Sequence, residues 1–218
     1  MSKVFVKKTR NSIQDNVVKK LNLVKLMSKA TANSPRAVGD AVQEYLESNF
    51  VNCIPGGIVK EFSSSFARRA MADFAFTDVD GKYYVIDSKT HNLDTSFNMP
   101  NLTSVERLSR FYEDSNNYFS ILIVSYRVEG EKLLFIDCKF VPIELLDWSC
   151  LTLGALGWGQ IQIANSNNII INESNTRKKW MLQLCDMLDY FYPNEILKIT
   201  KRIDRFKKVR QFWESQPD

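Results

Sequence analysis

Asp87 and Lys89 stand two residues apart at the end of the apolar run Tyr83-Tyr84-Val85-Ile86. In a strand this spacing puts both side chains on one face with Tyr83 and Val85, so a carboxylate and an ammonium converge. Burying charge beside a core strand costs free energy unless an ion pair, a metal or an anionic substrate offsets it. Taken alone, the pair reads most simply as an ion pair at a strand end. Asp73 changes that reading, because Asp73-Phe-Ala-Phe-Thr, Asp78-Val-Asp-Gly81 and Lys82 to Lys89 describe two strands around a tight turn. A two-residue Asp80-Gly81 loop pairs Asp73 with Ser88 and faces it away from Asp87. A three-residue Val79-Asp80-Gly81 loop, with Gly81 left-handed in a bulge, pairs Asp73 with Asp87. In the second register the adjacent carboxylates repel unless a divalent cation lies between them, which points to a hard ion, Mg²⁺. Such an ion polarises a phosphate and acidifies bound water, while a nearby lysine orients that water and offsets charge in the transition state. The expected chemistry is phosphodiester hydrolysis. Asp73 and Asp87 are then metal ligands, the Ser88 main-chain carbonyl is a further ligand, and Lys89 is the activating group.

The elements around this segment alternate between the two periodicities. Arg36 to Phe50 carries Val38, Ala41, Val42, Tyr45, Leu46 and Phe50 at helical spacing, with Ser34-Pro35 as cap and first-turn proline. Ser104 to Asp114 is also helical in period. Tyr118 to Arg127 is a buried strand, and Lys132 to Phe140 is another after the Glu-Gly-Glu turn. A short helix over Pro142 to Trp148, a glycine-punctuated loop from Gly154 to Gly159 and a strand pair within Gln160 to Asn172 follow. Two helices, Asn175 to Tyr192 and Pro193 to roughly Glu214, complete the chain. The fold class expected is α/β, with a central mixed sheet flanked by helices. With no repeats or linker-like tracts, residues 1–218 read as one domain.

The composition narrows the chemistry further. A chain of 218 residues with 44% hydrophobic and 12% aromatic residues is globular and large enough for its own core. Nothing approaches the roughly 18 to 20 apolar residues of a membrane span, and the start lacks a signal peptide's apolar region, so a cytoplasmic protein without membrane association is expected. Cys53, Cys138, Cys150 and Cys185 form no Cys-x-x-Cys pair, and His91 is the only histidine, which argues against structural zinc and Cys-His catalysis. Gly-x-Ser-x-Gly, Gly-x-x-x-x-Gly-Lys and Gly-x-Gly-x-x-Gly are all missing. The net charge of +4 is concentrated in Lys3, Lys7, Lys8 and Arg10, and in Lys198, Lys201, Arg202, Arg205, Lys207, Lys208 and Arg210 against a single Asp204. Both runs suit a polyanion or a solvated helix face.

Met71-Ala-Asp73 followed by Asp87-Ser-Lys89 resembles the PD-(D/E)xK nuclease motif, with Ala72 where the signature has proline. The resemblance extends to type II restriction endonucleases of the HincII and HpaI group. Asp87-Ser-Lys-Thr-His-Asn92 with Met99-Pro-Asn101 is similar to their strand end and following loop. Ala155 to Ile163 resembles their Gly-Gln-Ile-Gln-Ile strand, and Thr176-Arg-Lys-Lys-Trp180 resembles the helix start that follows it. The likeness covers roughly residues 71 to 205, and the first 35 or so, a candidate arm for dimerisation or DNA contact, show none.

The resemblance implies a restriction-endonuclease fold of the EcoRV type, a homodimer clasping double-stranded DNA, a short palindromic site, blunt ends and a cognate DNA methyltransferase. It also implies base contact by Asn98, Asn101 and the Gly154 to Gln162 segment, including Gly157, Trp158 and Gln160; the basic Lys207 and Lys208 are candidates for phosphate contact. The alternatives are a structure-specific or repair nuclease of the same fold and a non-catalytic DNA-binding module. His91 reads as an exposed loop residue outside catalysis, and Asp40 and Glu44 as a solvent-facing pair on one helix face. Trp148, Trp180 and Trp213 read as core, with Trp158, between glycines, free to meet DNA.

Overall fold

An apolar strand can be buried on both faces only if other strands border it and other elements cover it. The Tyr83–Asn92 segment meets that condition. In a computed structural model, residues 2–24, 26, 34–63, 72–130 and 132–217 are described. Met71 of the motif, Glu131 of the Glu-Gly-Glu turn and part of the N-terminal segment lie outside them. The chain forms two compact units, Met1–Ser174 and Asn175–Asp218.

The strands of the first unit are β1 (Val59–Ser63), β2 (Phe74–Asp78), β3 (Tyr83–Asn92), β4 (Asn101–Ser104), β5 (Asn117–Glu129), β6 (Lys132–Pro142), β7 (Leu151–Gly154) and β8 (Gln160–Ile163). Five of them make a central sheet in the order β1-β2-β3-β5-β6, parallel between β3 and β5 and antiparallel elsewhere. The parallel pair needs a crossover. That crossover carries β4 and the helix Val105–Phe111, which is α3 once α1 (Lys7–Leu23) and α2 (Pro35–Asn49) are counted. A second sheet has the order β4-β8-β7. The unit is therefore α/β, with a mixed central sheet flanked by helices.

The N-terminal segment belongs to the core. Val4, Phe5, Ile13, Val17 and Leu21 are buried in one cluster with Val38, Val42 and Leu46 of α2 and with Phe74, Phe76, Tyr84, Ile86, Leu122 and Val124 of the sheet. Strand alternation sends Ala75, Val85, Phe119, Ile121 and Ile123 to the opposite face, where they are also buried. Asp87 and Lys89 share that second face by their spacing from Val85. As its sequence predicts, α2 begins at Pro35, and the Ser34 hydroxyl accepts from the Ala37 N–H at 3.4 Å.

Several sequence expectations need correction. The Gln160 to Asn172 strand pair is one strand, β8, whose neighbours are β4 and β7. Past Ile163 the side chain of Asn165 accepts from the Asn167 N–H, and its carbonyl accepts from Asn168, a local turn that competes with a ladder. Pro142 to Trp148 gives only the 3₁₀ turns Ile143–Leu145 and Trp148–Cys150. In the second unit, the two expected helices are a single one, α4 (Arg177–Glu214), with Pro193 inside it. Proline removes one N–H donor, and the helix continues through it on both sides. Finally, Trp213 is 67% exposed and does not belong to a core.

The turn between β2 and β3 is the three-residue one. Phe74 pairs with Ile86 and Thr77 with Tyr83; Asp78 N–H donates to the Lys82 carbonyl, and Gly81 sits at φ +79°. The Asp78 carboxylate closes the loop by accepting from the Asp80 and Lys82 N–H groups, both at 2.9 Å. No atom lies within 4 Å of a Cβ added at Gly81, so only backbone strain opposes substitution. Gly81→Ala is expected to destabilise the fold by about 1 kcal/mol, read as a lower urea midpoint at unchanged slope. An unchanged midpoint would show that the turn tolerates a side chain at positive φ.

Candidate active site

Register decides whether the two carboxylates meet. The β2–β3 ladder ends at Phe74 and Ile86, and Asp73, one residue before β2, lies near enough to Asp87 for its charge to act on the Asp87 carboxyl. A stack of rings holds that register. Phe76, Tyr84 and Tyr118 are direct neighbours on β2, β3 and β5, with centroids 4.5 and 5.1 Å apart and planes within 12° and 18°. The Tyr84 hydroxyl donates to Asp78 Oδ2 at 2.7 Å and also bonds the buried Ser2 hydroxyl. A one-residue slip would send every one of these rings to the other face.

At the end of β2 the Asp73 N–H donates to the Ile86 carbonyl at 2.9 Å. Asp73 Oδ2 accepts from the Ser88 N–H at 2.7 Å and from the Ser88 hydroxyl at 3.0 Å. The Ser88 carbonyl lies along the same strand edge as its N–H, beyond the start of β2, on the Asp73 side. Lys89 Nζ donates to Asp87 Oδ1 at 2.7 Å. Lys89 is 26% exposed at its side chain and Asp87 only 9%. Asp87 Oδ2 is buried and has no hydrogen-bond partner among the described residues. Desolvation pushes the Asp87 carboxyl up to about 7; the Lys89 ammonium opposes the rise and the Asp73 carboxylate adds to it. Asp73, Asp87, Ser88 and Lys89 are thus brought together.

Among the described residues no group of three or more His, Cys, Asp or Glu side chains could hold a metal. The donors at hand are two carboxylates and a main-chain carbonyl. They suit a hard cation that keeps part of its water shell, and the orphaned, desolvated Asp87 Oδ2 is the atom such a cation would satisfy.

The expected DNA-contact residues fall in different places. Asn98, on the loop before β4, accepts through its main-chain carbonyl from the Ser166 N–H at 2.8 Å. Asn101 opens β4, exposed, and its Oδ1 accepts from Gln162 Nε2 of β8. Gln160, half-buried, pairs with Ser104 on one side and Gly154 on the other. Gly157 has φ +59° in an open loop. Trp158 is 55% exposed, with the Arg110 guanidinium over its ring at 5.9 Å. Lys207 and Lys208 are exposed on α4 of the second unit, with Lys207 paired to Asp204 at 3.1 Å.

His91 is not an exposed loop residue. Parallel pairing with β5 continues to Asn92, so His91 lies within β3, 2% exposed, with Nε2 bonded to Asn167 Oδ1 at 2.9 Å. The N-terminal basic run is partly consumed by structure: Lys3 pairs with Asp80, and Arg10, 6% exposed, pairs with Glu173. Asp40 and Glu44 face solvent. Burial pushes the Cys53 thiol up to about 11 and Cys138 well above the ordinary range, so neither serves as a nucleophile near neutrality. The sequence reading missed the Ser88 hydroxyl and the Tyr84–Asp78 clamp. The Asx pattern of the turn signals Asp78 locally, but nothing local signals the others. No helix among the described residues is long and apolar enough to cross a membrane. Comparison with protein-family models and with curated proteins finds no match for the chain.

Proposed function

We propose that this protein is a Mg²⁺-dependent, site-specific endonuclease of the type II restriction class, acting on double-stranded DNA with a restriction-endonuclease fold. The observation that carries the reading is the convergence at the open end of the three-residue hairpin, where the Asp73 carboxylate is held on Ser88 and its charge acts on Asp87, which Lys89 pairs. Asp73 and Asp87, with the Ser88 carbonyl, would hold the cation. When bound, Mg²⁺ supplies charge to polarise the scissile phosphate and acidify the attacking water. The Ser88 N–H and hydroxyl fix the Asp73 carboxylate, so one of its oxygens is aimed before any ligand arrives. Lys89, more exposed than Asp87, can leave its ion pair to orient the water and offset charge on the phosphate. The proposed assembly is a homodimer reading a short palindrome, one half-site per subunit, with blunt cutting and a cognate methyltransferase protecting host DNA.

Digestion of a long unmethylated DNA with Mg²⁺, beside an EDTA control, tests the reading. Discrete fragments in Mg²⁺ alone are expected. Cutting of branched DNA only would reassign the chain to structure-specific nucleases, and binding without any cleavage would make it a binding module.

The basic face of α4 fits phosphate contact in this scheme. Replacing Lys207 and Lys208 together by alanine is expected to reduce the slope of log affinity against log salt by roughly 2. A slope equal to that of the wild type would take α4 out of the DNA interface.

A further inference from the structure

The last helix holds large apolar side chains in solvent at a regular spacing. On α4, Ile196, Ile199, Ile203, Phe206 and Trp213 follow one another by three and four residues, with Arg210 filling the one missing step. The five apolar residues are between 48% and 69% exposed. The same spacing carried towards the N-terminus meets Tyr192, Asp189, Cys185 and Leu182, which are exposed as well. Steps of three and four over ten positions make the seven-residue repeat of a coiled-coil seam, which keeps one stripe of a helix turned towards a second helix. Leu197, off the stripe, has polar Thr200, Lys201 and Asp204 at the positions that would extend a rival row.

Charge selects the helix that suits this seam. From Lys198 to Arg210 the helix carries seven basic residues against Asp204 alone, whereas from Met181 to Leu197 it carries Asp186, Asp189 and Glu195 and no basic residue. A parallel second copy would lay basic half on basic half and set Arg210 against Arg210 of the partner subunit. An antiparallel copy crossing at Ile203 and Phe206 would again bring the two basic halves together. Crossing at Ile196 and Ile199 sets each basic half along the partner's acidic one. Ile196 then meets the partner's Ile199, Tyr192 the partner's Ile203, and Leu182 the partner's Trp213. The two charged seam residues, Asp189 and Arg210, fall about one turn apart across the seam with opposite charges. Helical side chains lean towards their own N-terminus, and in this orientation that inclines Asp189 and the partner's Arg210 towards each other. Seam residues of this size and exposure offer on the order of 700 Å² per copy, against roughly 800 Å² per partner in an interface of standard size.

We propose that α4 pairs with α4 of a second copy of this chain as an antiparallel two-stranded coiled coil that crosses at Ile196 and Ile199. A two-fold axis at the crossing makes the contact self-complementary, each seam residue meeting on the partner the residue that meets its own copy. The pairing gives the proposed homodimer its interface and does not depend on the chemistry at Asp87. Lys201 and Lys208 stay on the outer face of the pair, away from the seam.

Sedimentation equilibrium of the full chain, without DNA or divalent ions, should give a dimer at micromolar concentration. Ile199→Glu sets two carboxylates at the crossing and is expected to raise the dimer Kd at least about 100-fold. Ile199 is exposed in a single copy, so the variant should keep the wild-type circular dichroism. Orientation is read in a Cys185→Ser background, since the other three cysteines are buried. Proteins carrying Tyr192→Cys and Ile203→Cys, mixed and oxidised, are expected to cross-link to one another, and neither to itself. This arm stands even if Ile199→Glu fails to fold. A wild type that stays monomeric, a dimer that Ile199→Glu leaves equally tight, or Ile203→Cys cross-linking to itself would overturn the proposal. A monomer whose binding to duplex DNA is weakened by Ile199→Glu would overturn it as well and give the stripe to nucleic acid. Failure of a dimeric wild type to cut any duplex would overturn the endonuclease reading and leave this pairing intact.

Discussion

Lys89→Ala and Asp87→Ala are each expected to lower Mg²⁺-dependent DNA cleavage by at least about a thousand-fold, or roughly 4 kcal/mol of transition-state stabilisation. The two residues share one strand face and one hydrogen bond, and each does what no neighbour can replace. Asp87 brings the buried oxygen that would meet the cation, and Lys89 the positive charge beside it. Asp73→Ala should fall in the same range, because the main-chain carbonyl of Ser88 cannot replace a carboxylate. Ser88→Ala should cost far less, about tenfold, since the Ser88 N–H still holds Asp73 Oδ2 once the hydroxyl is gone. Single-turnover cleavage, with duplex binding measured without divalent ions, checks the series. Retained cutting by Lys89→Ala would remove Lys89 from the chemistry, and an equal loss in Ser88→Ala would show that the hydroxyl does more than orient Asp73.

Without divalent cations, stability is expected to fall as the pH rises from about 4 to about 7, by up to about 4 kcal/mol, and to level off above that. Burial raises the Asp87 carboxyl from its ordinary value of 3.8 to about 7. Between those values the folded chain holds a proton that the unfolded chain has released, so each step up in pH favours unfolding. Asp87→Asn removes the titrating group and should be more stable than the wild type at pH 8 by a few kcal/mol, while being inactive. Added Mg²⁺ should flatten the wild-type profile and leave that of the variant unchanged, because only the carboxylate gains from the cation. Urea unfolding across the pH range, with EDTA or Mg²⁺, measures both effects. A variant less stable than the wild type at every pH would mean that the Lys89 ion pair outweighs the burial of Asp87.

Burial of the Asp87 carboxyl disfavours its charged form and so works against the fold above neutral pH. The rings around it do the reverse. Phe76, Tyr84 and Tyr118 contribute packing and register, and the Tyr84 hydroxyl ties the turn to Ser2. The desolvated carboxylate can be held in place because the hairpin carrying it is over-determined by aromatic stacking, an Asx-closed loop and the buried face of the N-terminal helix.

Much of this was legible in the residues themselves. That Asp87 and Lys89 share a face follows from the period of a strand; the start of α2 follows from Ser34-Pro35, and the hairpin from its aspartates and glycine. These are local properties, set by backbone geometry over a few residues. The register was not legible, because two loop lengths suit the same Val79-Asp80-Gly81 stretch, and the structure carries the one in which Phe76, Tyr84 and Tyr118 stack. His91 read as loop because nothing within its own segment signals that β5 continues beside it. Pro193 read as a helix boundary because the sequence marks the lost donor but not the length of helix willing to bear it. The joining of Asn101 to Gln162 was invisible for the same reason. Contacts between distant segments are chosen by what packs and pairs in three dimensions, and only the tertiary structure decided which donors, acceptors and charges were left facing one another.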